Sequence, residues 1–150
     1  MMMSWREVQA PGDHMEDRFR ALAENFRNAL GQLKPVDMAF VEDITFTRGR
    51  QTELGLAKVL GAVEAHLTDC GIPYLTVNNV TWKAVLGLGS RKGTKLERKG
   101  RNVAYARRSW GLAGSELNDD VADALCVLEW GTRQLTDPVV GPKLMEQIGG

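Results

Sequence analysis

The sequence has few of the residues that build zinc sites or disulfide-stabilised folds. Its 150 residues include two cysteines, Cys70 and Cys126, and two histidines, His14 and His66. Two cysteines are too few for a disulfide scaffold. The lack of a Cys-x-x-Cys pair and the wide separation of the histidines argue against a zinc site. Both cysteines lie in apolar, helix-like segments, which predicts two buried thiols in a reducing compartment.

The chain also lacks a long apolar run and an excess of charge of either sign. No segment approaches the roughly 20 apolar residues that cross a bilayer, and the opening Met1-Met2-Met3 lacks the parts of a signal peptide. Lys and Arg together number 19, as do Asp and Glu, so the formal net charge is zero. We therefore expect a soluble globular protein with no membrane partner, cytoplasmic by default.

The zero net charge hides an uneven distribution. Residues 81–110 contain nine basic residues and one acid, Glu97, so this segment carries +8 and the rest of the chain −8. A solvated loop is the simplest explanation of such a run. A charge of this size, interleaved with Trp82, Tyr105 and Trp110, instead favours binding to the phosphates of nucleic acid. The candidate DNA-binding residues are Lys83, Arg91, Lys92, Lys95, Lys99 and Arg101.

The hydrophobic pattern predicts an α/β arrangement. Apolar residues at three- and four-residue steps predict helices over residues 13–33, 51–68, 80–86, 102–110 and 118–133. In the second of these helices, the residues expected to face the core are Leu54, Leu60, Val63 and Leu67. Apolar runs predict strands at 36–41 and 74–77, made parallel by the helix between them, and residues 4–8 are a candidate edge strand. Residues 87–100 predict a mobile loop, and residues 136–150 a loosely ordered tail.

Three acidic residues are candidates for a metal site. Asp120 and Asp123 lie three residues apart in the last predicted helix, so their carboxylates share one face. Glu42 follows the first strand, at the edge where open α/β sheets place their sites. If the last helix crosses the sheet there, the three converge as oxygen ligands for Mg²⁺ or Mn²⁺. The alternative is structural, because acids also stabilise helix N-termini and a carboxylate after a strand marks where the chain meets water.

Five motifs between Val36 and Trp130 carry a family resemblance. They are Phe40-Val41-Glu42 at the end of a strand, Gly55-Leu56-Ala57-Lys58-Val59-Leu60-Gly61 in a helix, Val80-Thr81-Trp82-Lys83, Gly87-Leu88-Gly89-Ser90, and Asp120-Val121-Ala122-Asp123-Ala124-Leu125. In order and spacing the set resembles the RuvC-like Holliday-junction resolvases of the RNase H-like superfamily, in particular the short phage versions. The resemblance implies an RNase H-like α/β fold, a mixed sheet flanked by helices, in a nuclease domain of residues 1–135.

The same resemblance implies a function. Family members are metal-dependent endonucleases that hydrolyse phosphodiester bonds in branched DNA and act as homodimers on four-way junctions. By resemblance, Glu42, Asp120 and Asp123 bind Mg²⁺ or Mn²⁺ and carry catalysis, and Lys83 acts beside them on DNA. A phage-encoded member would work in the host cytoplasm. The alternative is a non-catalytic DNA-binding or oligomerising module derived from the same fold.

One part of the family pattern is missing before Glu42. Family members begin with a strand that carries another metal-binding Asp, followed by a Gly-containing hairpin, and nothing here matches it. Asp13 and Asp17 open a helix, and Asp43 would point to the opposite face from Glu42, so none of them replaces it. The sequence therefore predicts a domain that is truncated at its N-terminus, because the start lies upstream of Met1 or because the protein is a shortened relative.

Overall fold

The structure, a computed structural model, describes residues 14–33, 35–44, 49–112 and 117–149. These residues form six helices and two strands: α1 (Met15–Gln32), β1 (Ala39–Glu42), α2 (Arg50–Asp69), β2 (Tyr74–Val77), α3 (Asn79–Val85), α4 (Lys95–Trp110), α5 (Asp119–Thr136) and α6 (Val140–Gly149). No helix within these residues is both long enough and apolar enough to span a membrane.

The two strands pair with each other in a two-stranded sheet. The Ala39 amide donates to the Pro73 carbonyl at 2.9 Å and the Asp43 amide to the Val77 carbonyl at 2.8 Å, so the pairing advances in the same direction along both strands. This confirms the predicted parallel pair. The described residues contain no third strand, so the expected mixed sheet is not found among them. Residues 4–8 lie outside the described residues, and the N-terminal truncation stays a prediction.

The chain divides into two compact units, the first within Met1–Ala39 and Ile44–Tyr74. In this unit α1 packs against α2, and Leu30, Leu67 and Ile72 are buried. The expectation that Leu54 faces the core is wrong, since 55% of it is exposed whereas Leu67 is 1% exposed. Thirteen residues of α-helix, at roughly 100° each, rotate the side chain by about 220°, so these two leucines cannot share one face.

The second unit comprises Phe40–Asp43 and Leu75–Gly150. Its centre is the packing of α4 against α5, and α3 and α6 also contact α5. Buried residues on α5 recur at three- and four-residue steps, as expected of a helix with one face in the core. The buried apolar residues of the unit are Val77, Trp82, Leu86, Tyr105, Ala106, Leu117, Ala122, Leu125, Cys126, Val127 and Trp130. All of the candidate site residues belong to this unit.

Helix α4 begins earlier than the sequence pattern predicted. The loop expected over residues 87–100 ends at Thr94, whose hydroxyl accepts the Glu97 amide at 3.2 Å while the Glu97 carboxylate accepts the Thr94 amide. This reciprocal pair is a capping box, which satisfies two amides that the first turn of a helix leaves without partners. Lys95 and Lys99, which were expected in the loop, therefore lie on a helix, and Arg101 lies on the same helix.

The C-terminal segment also differs from its prediction, because residues 140–149 form α6 where a loosely ordered tail was expected. The Asp137 carboxylate accepts the amides of Val139 and Val140, each at 2.8 Å, and so starts the helix. Pro142 falls in the first turn, where its missing amide costs no helical hydrogen bond. The predicted burial of the two thiols is confirmed for Cys126, which is buried, and is wrong for Cys70, which is exposed.

Candidate functional site

Helix α5 lies directly against the strand that carries Glu42. The Phe40 ring meets the Trp130 ring edge to face, with 6.4 Å between centroids and 87° between planes. Gly131 faces the same ring so closely that a Cβ atom there would overlap it. Alternate residues of a strand point to the same side, so Glu42 shares the face of Phe40, the face that α5 covers. The crossing of the last helix over the first strand is therefore present.

Glu42 is held by two donors from α3. Its Oε1 accepts a hydrogen bond from Trp82 Nε1 at 3.0 Å and another from Asn79 Nδ2 at 3.1 Å. Trp82 is fully buried, and α3 is capped by Asn78, whose side chain accepts the Thr81 amide at 2.8 Å. The carboxylate is thus fixed in orientation although it is exposed to solvent. Both donors are neutral, so the negative charge of Glu42 is not cancelled.

Asp123 is half-buried on α5 and bonded to α4. Asn102, which is 6% exposed, donates from Nδ2 to Asp123 Oδ1 at 2.8 Å. Burial raises the pKa of Asp123, because the charged form loses solvation, while the Asn102 bond and the nearby Lys83 charge act in the opposite direction. Asn102 was missed by the sequence analysis. Its signal was its spacing, three and four residues before the buried Tyr105 and Ala106.

The acids that open α5 have different surroundings. Asp119 forms an ion pair with the Lys99 ammonium, and this contact is the main reason that the pKa of Lys99 is raised. Lys99, a predicted DNA-binding residue, is thus engaged by α5. Asp120 is exposed in the first helical turn, and the Asn118 side chain caps that turn by accepting the Val121 amide at 2.8 Å.

The donor chemistry of these acids fits a divalent cation, although no three of them converge. Carboxylate oxygens are the ligands that Mg²⁺ and Mn²⁺ prefer. Within residues 14–33, 35–44, 49–112 and 117–149, no group of three or more His, Cys, Asp or Glu side chains is placed to hold a metal ion. Mg²⁺ commonly uses one or two carboxylates together with substrate phosphate oxygens and water. The pair on α5 meets that lower requirement in ligand type.

Lys83 connects the two sides of this region. Its Nζ lies 4.9 Å from the centroid of the Trp82 ring, whose indole nitrogen binds Glu42. The Lys83 charge also stabilises the ionised form of Asp123. An ammonium held over an aromatic face and beside carboxylates supplies positive charge where a phosphate would approach them.

Residues 90–93, the basic loop, are tied to α4 by two guanidinium groups. Arg98 Nη1 donates to the carbonyls of Arg91 and Gly93 at 3.3 and 3.2 Å. Arg101 Nη2 donates to the carbonyls of Ser90 and Lys92 at 2.8 and 3.0 Å. Carbonyl acceptors carry no net charge, so both arginines keep theirs. Arg91, Lys92 and Lys95 are exposed and form no salt bridge with any described residue.

No protein-family model and no curated protein sequence matches the chain. Its fold is similar to that of Thermus thermophilus RuvC solved in complex with a Holliday junction substrate, with a TM-score of 0.62 and 18% identity over 81% of this chain and 71% of that one. A second Thermus thermophilus RuvC structure gives a TM-score of 0.58 and 19% identity over 91% of this chain and 72% of that one. The chain therefore has a RuvC-like fold, rich in helix and with a small parallel sheet.

Proposed function

We propose that this protein is a structure-selective endonuclease that hydrolyses phosphodiester bonds in branched DNA, with a four-way junction as its substrate. One observation carries the proposal: α5, which bears Asp120 and Asp123, packs on the face of β1 from which Glu42 projects. Lys83 relates two acids from distant parts of the chain: its charge stabilises the ionised form of Asp123, and its ammonium lies over the ring of Trp82, whose indole nitrogen bonds Glu42. The RuvC-like fold and the +8 charge of residues 81–110 support DNA as the partner.

In this proposal Asp120, Asp123 and Glu42 would supply carboxylate oxygens for Mg²⁺ or Mn²⁺. Because the three do not converge on one position among the described residues, phosphate oxygens and water would complete the ligand set. A bound divalent cation supplies a Lewis acid for the scissile phosphate and lowers the pKa of a bound water. The chain's own contribution is orientation, since Trp82 and Asn79 fix Glu42. Lys83 draws the phosphate toward the acids. By resemblance to the same family, we also propose that the protein is of the phage type and acts as a homodimer. Its place of action would be the cytoplasm, and if a phage encodes it, the cytoplasm of the host.

The test is cleavage of a labelled four-way junction, with and without Mg²⁺ or Mn²⁺, beside a plain duplex of the same sequence. Metal-dependent nicking of the junction is expected. In each of the variants Asp120→Asn, Asp123→Asn and Glu42→Gln the cleavage rate should fall at least roughly 10- to 100-fold, which is the usual loss when only the surroundings of a metal ligand are changed. Asp119→Asn is the matched control, because it removes a neighbouring charge that is paired with Lys99. Full activity in the three variants would refute the assigned site.

A second candidate function is a non-catalytic module that binds branched DNA or oligomerises on it. It is favoured by the finding that no three acids among the described residues are placed to hold a metal ion. This alternative predicts junction binding in EDTA that weakens with salt, and no cleavage with any divalent metal. The cleavage assay, with a binding assay run on the same preparation, separates the two functions.

A further inference from the structure

A cleft of about 520 Å³ opens on the second unit beside the candidate site. It is lined by α3, by residues 88–91 and by one side chain of α4, and its volume lies in the range of small-ligand pockets. No acidic residue lines it. Its lining includes Asn79, Val80, Lys83, Leu88, Arg91 and Arg98.

One wall of the cleft is apolar. Val80, in the first turn of α3, is 69% exposed, and the half-buried Leu88 lines the same cleft. A single exposed apolar side chain is ordinary on a protein surface. Val80 and Leu88, however, line the same cleft and have cationic residues beside them. Such a surface suits the flat, weakly polar face of a nucleobase.

The remaining wall is cationic and held in place. Arg91 and Lys83 line the cleft, and Arg98 joins them while its guanidinium bonds the carbonyls of Arg91 and Gly93. Because these acceptors are neutral, the positive charge of the wall is kept. Because the backbone is already tied to α4, a ligand would not have to order the basic loop, which lowers the cost of binding.

We propose that this cleft binds one unpaired nucleotide of the DNA substrate, its base against Val80 and Leu88 and its phosphate on Arg91 and Lys83. The inference rests on the proposed function in taking DNA as the substrate and adds which feature of that DNA is recognised. A base paired within a duplex cannot enter a cleft, so the site selects positions where pairing is broken. Asn79 lines the cleft and also bonds Glu42, so the bound nucleotide lies next to that candidate acid.

The test compares two DNAs in EDTA, so that no cleavage is required. One is a duplex with a single unpaired 2-aminopurine, and the other is the fully paired duplex of the same sequence. The parent should bind the first about fivefold more tightly or better, the lower range of a base contact, and should change the 2-aminopurine fluorescence. Val80→Ser and Arg91→Ala should each remove most of this preference and of the fluorescence change.

Two matched controls lie outside the lining of the cleft. Leu96→Ser removes an apolar side chain that is 80% exposed and should change nothing. Lys95→Ala removes one exposed cation and should weaken binding to both DNAs by the same factor. Thermal unfolding of each variant verifies that the fold is intact.

The cleft proposal is overturned if Val80→Ser behaves like Leu96→Ser, or if Arg91→Ala weakens both DNAs equally, as Lys95→Ala is expected to do. Either result would be compatible with the proposed endonuclease, which would then bind DNA through its phosphates without recognising an unpaired base. Failure of the proposed endonuclease looks different: the parent prefers the unpaired nucleotide in EDTA yet cleaves nothing with metal, which supports the cleft. Absence of binding to any DNA overturns both proposals.

Discussion

Gly131 is the residue on which the approach of α5 to β1 depends. Its missing side chain makes room for the Phe40 ring, and any Cβ atom would overlap that ring. Gly131→Ala is expected to lower the free energy of unfolding by about 1–3 kcal/mol, the usual cost of overpacking, despite the better helix propensity of alanine. Urea unfolding at constant pH measures the change, and junction cleavage should fall with it because β1 carries Glu42.

Gly100 in α4 provides the control for that substitution. Nothing lies within 4 Å of the position that its Cβ would occupy. Gly100→Ala should therefore raise the free energy of unfolding by about 0.5–1 kcal/mol, since alanine restricts the unfolded chain and favours the helix. Equal effects of the two substitutions would show that the Phe40 contact does not limit the approach of α5.

The two cysteines should differ in reactivity. Cys126 is fully buried, and burial raises the pKa of its thiol to about 12, whereas Cys70 is exposed. The thiolate is the reactive form, so at pH 8 Cys126 stays protonated and inaccessible. A thiol reagent should modify one cysteine in the native protein and two in denaturant. Cys70→Ser should abolish the native reaction, and rapid labelling of that variant would contradict the buried position of Cys126.

At the scale of the element, α4 depends on its capping box. Thr94→Ala removes the hydroxyl that accepts the Glu97 amide and should cost about 1 kcal/mol. Hydrogen exchange should speed up in the first turn of α4 more than in its last turn. Leu96→Ala lies in the same turn, is largely exposed, and should leave exchange unchanged.

The capping box also has a pH dependence with a definite sign. The backbone amide of Thr94, and then its hydroxyl, lower the pKa of Glu97. An acid whose pKa is lowered by folding stabilises the fold above its ordinary pKa and loses that contribution as the pH falls through the lowered value. The difference in stability between the parent and Glu97→Gln should therefore shrink when the pH is lowered from neutral through the acidic range.

The elements show which signals the sequence carried and which were overridden. The parallel strands followed from a strand–helix–strand order, which leaves little choice of connection. The start of α4 was present as Thr94-x-x-Glu97, but the surrounding glycines and lysines favoured a loop. In α6, Pro142 and Gly141 usually indicate an interruption, yet in the first turn of a helix they are tolerated.

Across the whole molecule, the candidate site could be predicted only in part. Glu42 and Asp123 were identifiable because of their place at a strand end and on a helix face. Their partners Trp82 and Asn102 are 40 and 21 residues away from them in sequence, so these bonds depend on tertiary packing. No local pattern could have assigned Lys99 to Asp119 rather than to DNA.

The affinity of the whole protein for DNA should fall with salt concentration to a predictable degree. Lys83, Arg91, Lys92 and Lys95 form no salt bridge among the described residues. At about 0.9 counterions per phosphate contact, these four predict that the logarithm of the association constant falls with the logarithm of salt with a slope of roughly −3 to −4. Fluorescence anisotropy of a junction in EDTA measures it. A slope near zero would contradict a phosphate-binding role for these residues.

The hydrogen bonds that hold the basic loop on α4 should respond to salt differently from the contacts between the loop and DNA. Arg98 and Arg101 clasp uncharged oxygens within the chain, so dissolved ions have little to screen in these bonds. The attraction between the same surface and the phosphates of DNA, by contrast, is weakened by added potassium chloride, because the salt ions screen the exposed charges. High ionic strength should therefore release the DNA while the hydrogen bonds from Arg98 and Arg101 to the basic loop remain intact. Free protein at high salt would then be ready to rebind on dilution without a slow refolding step.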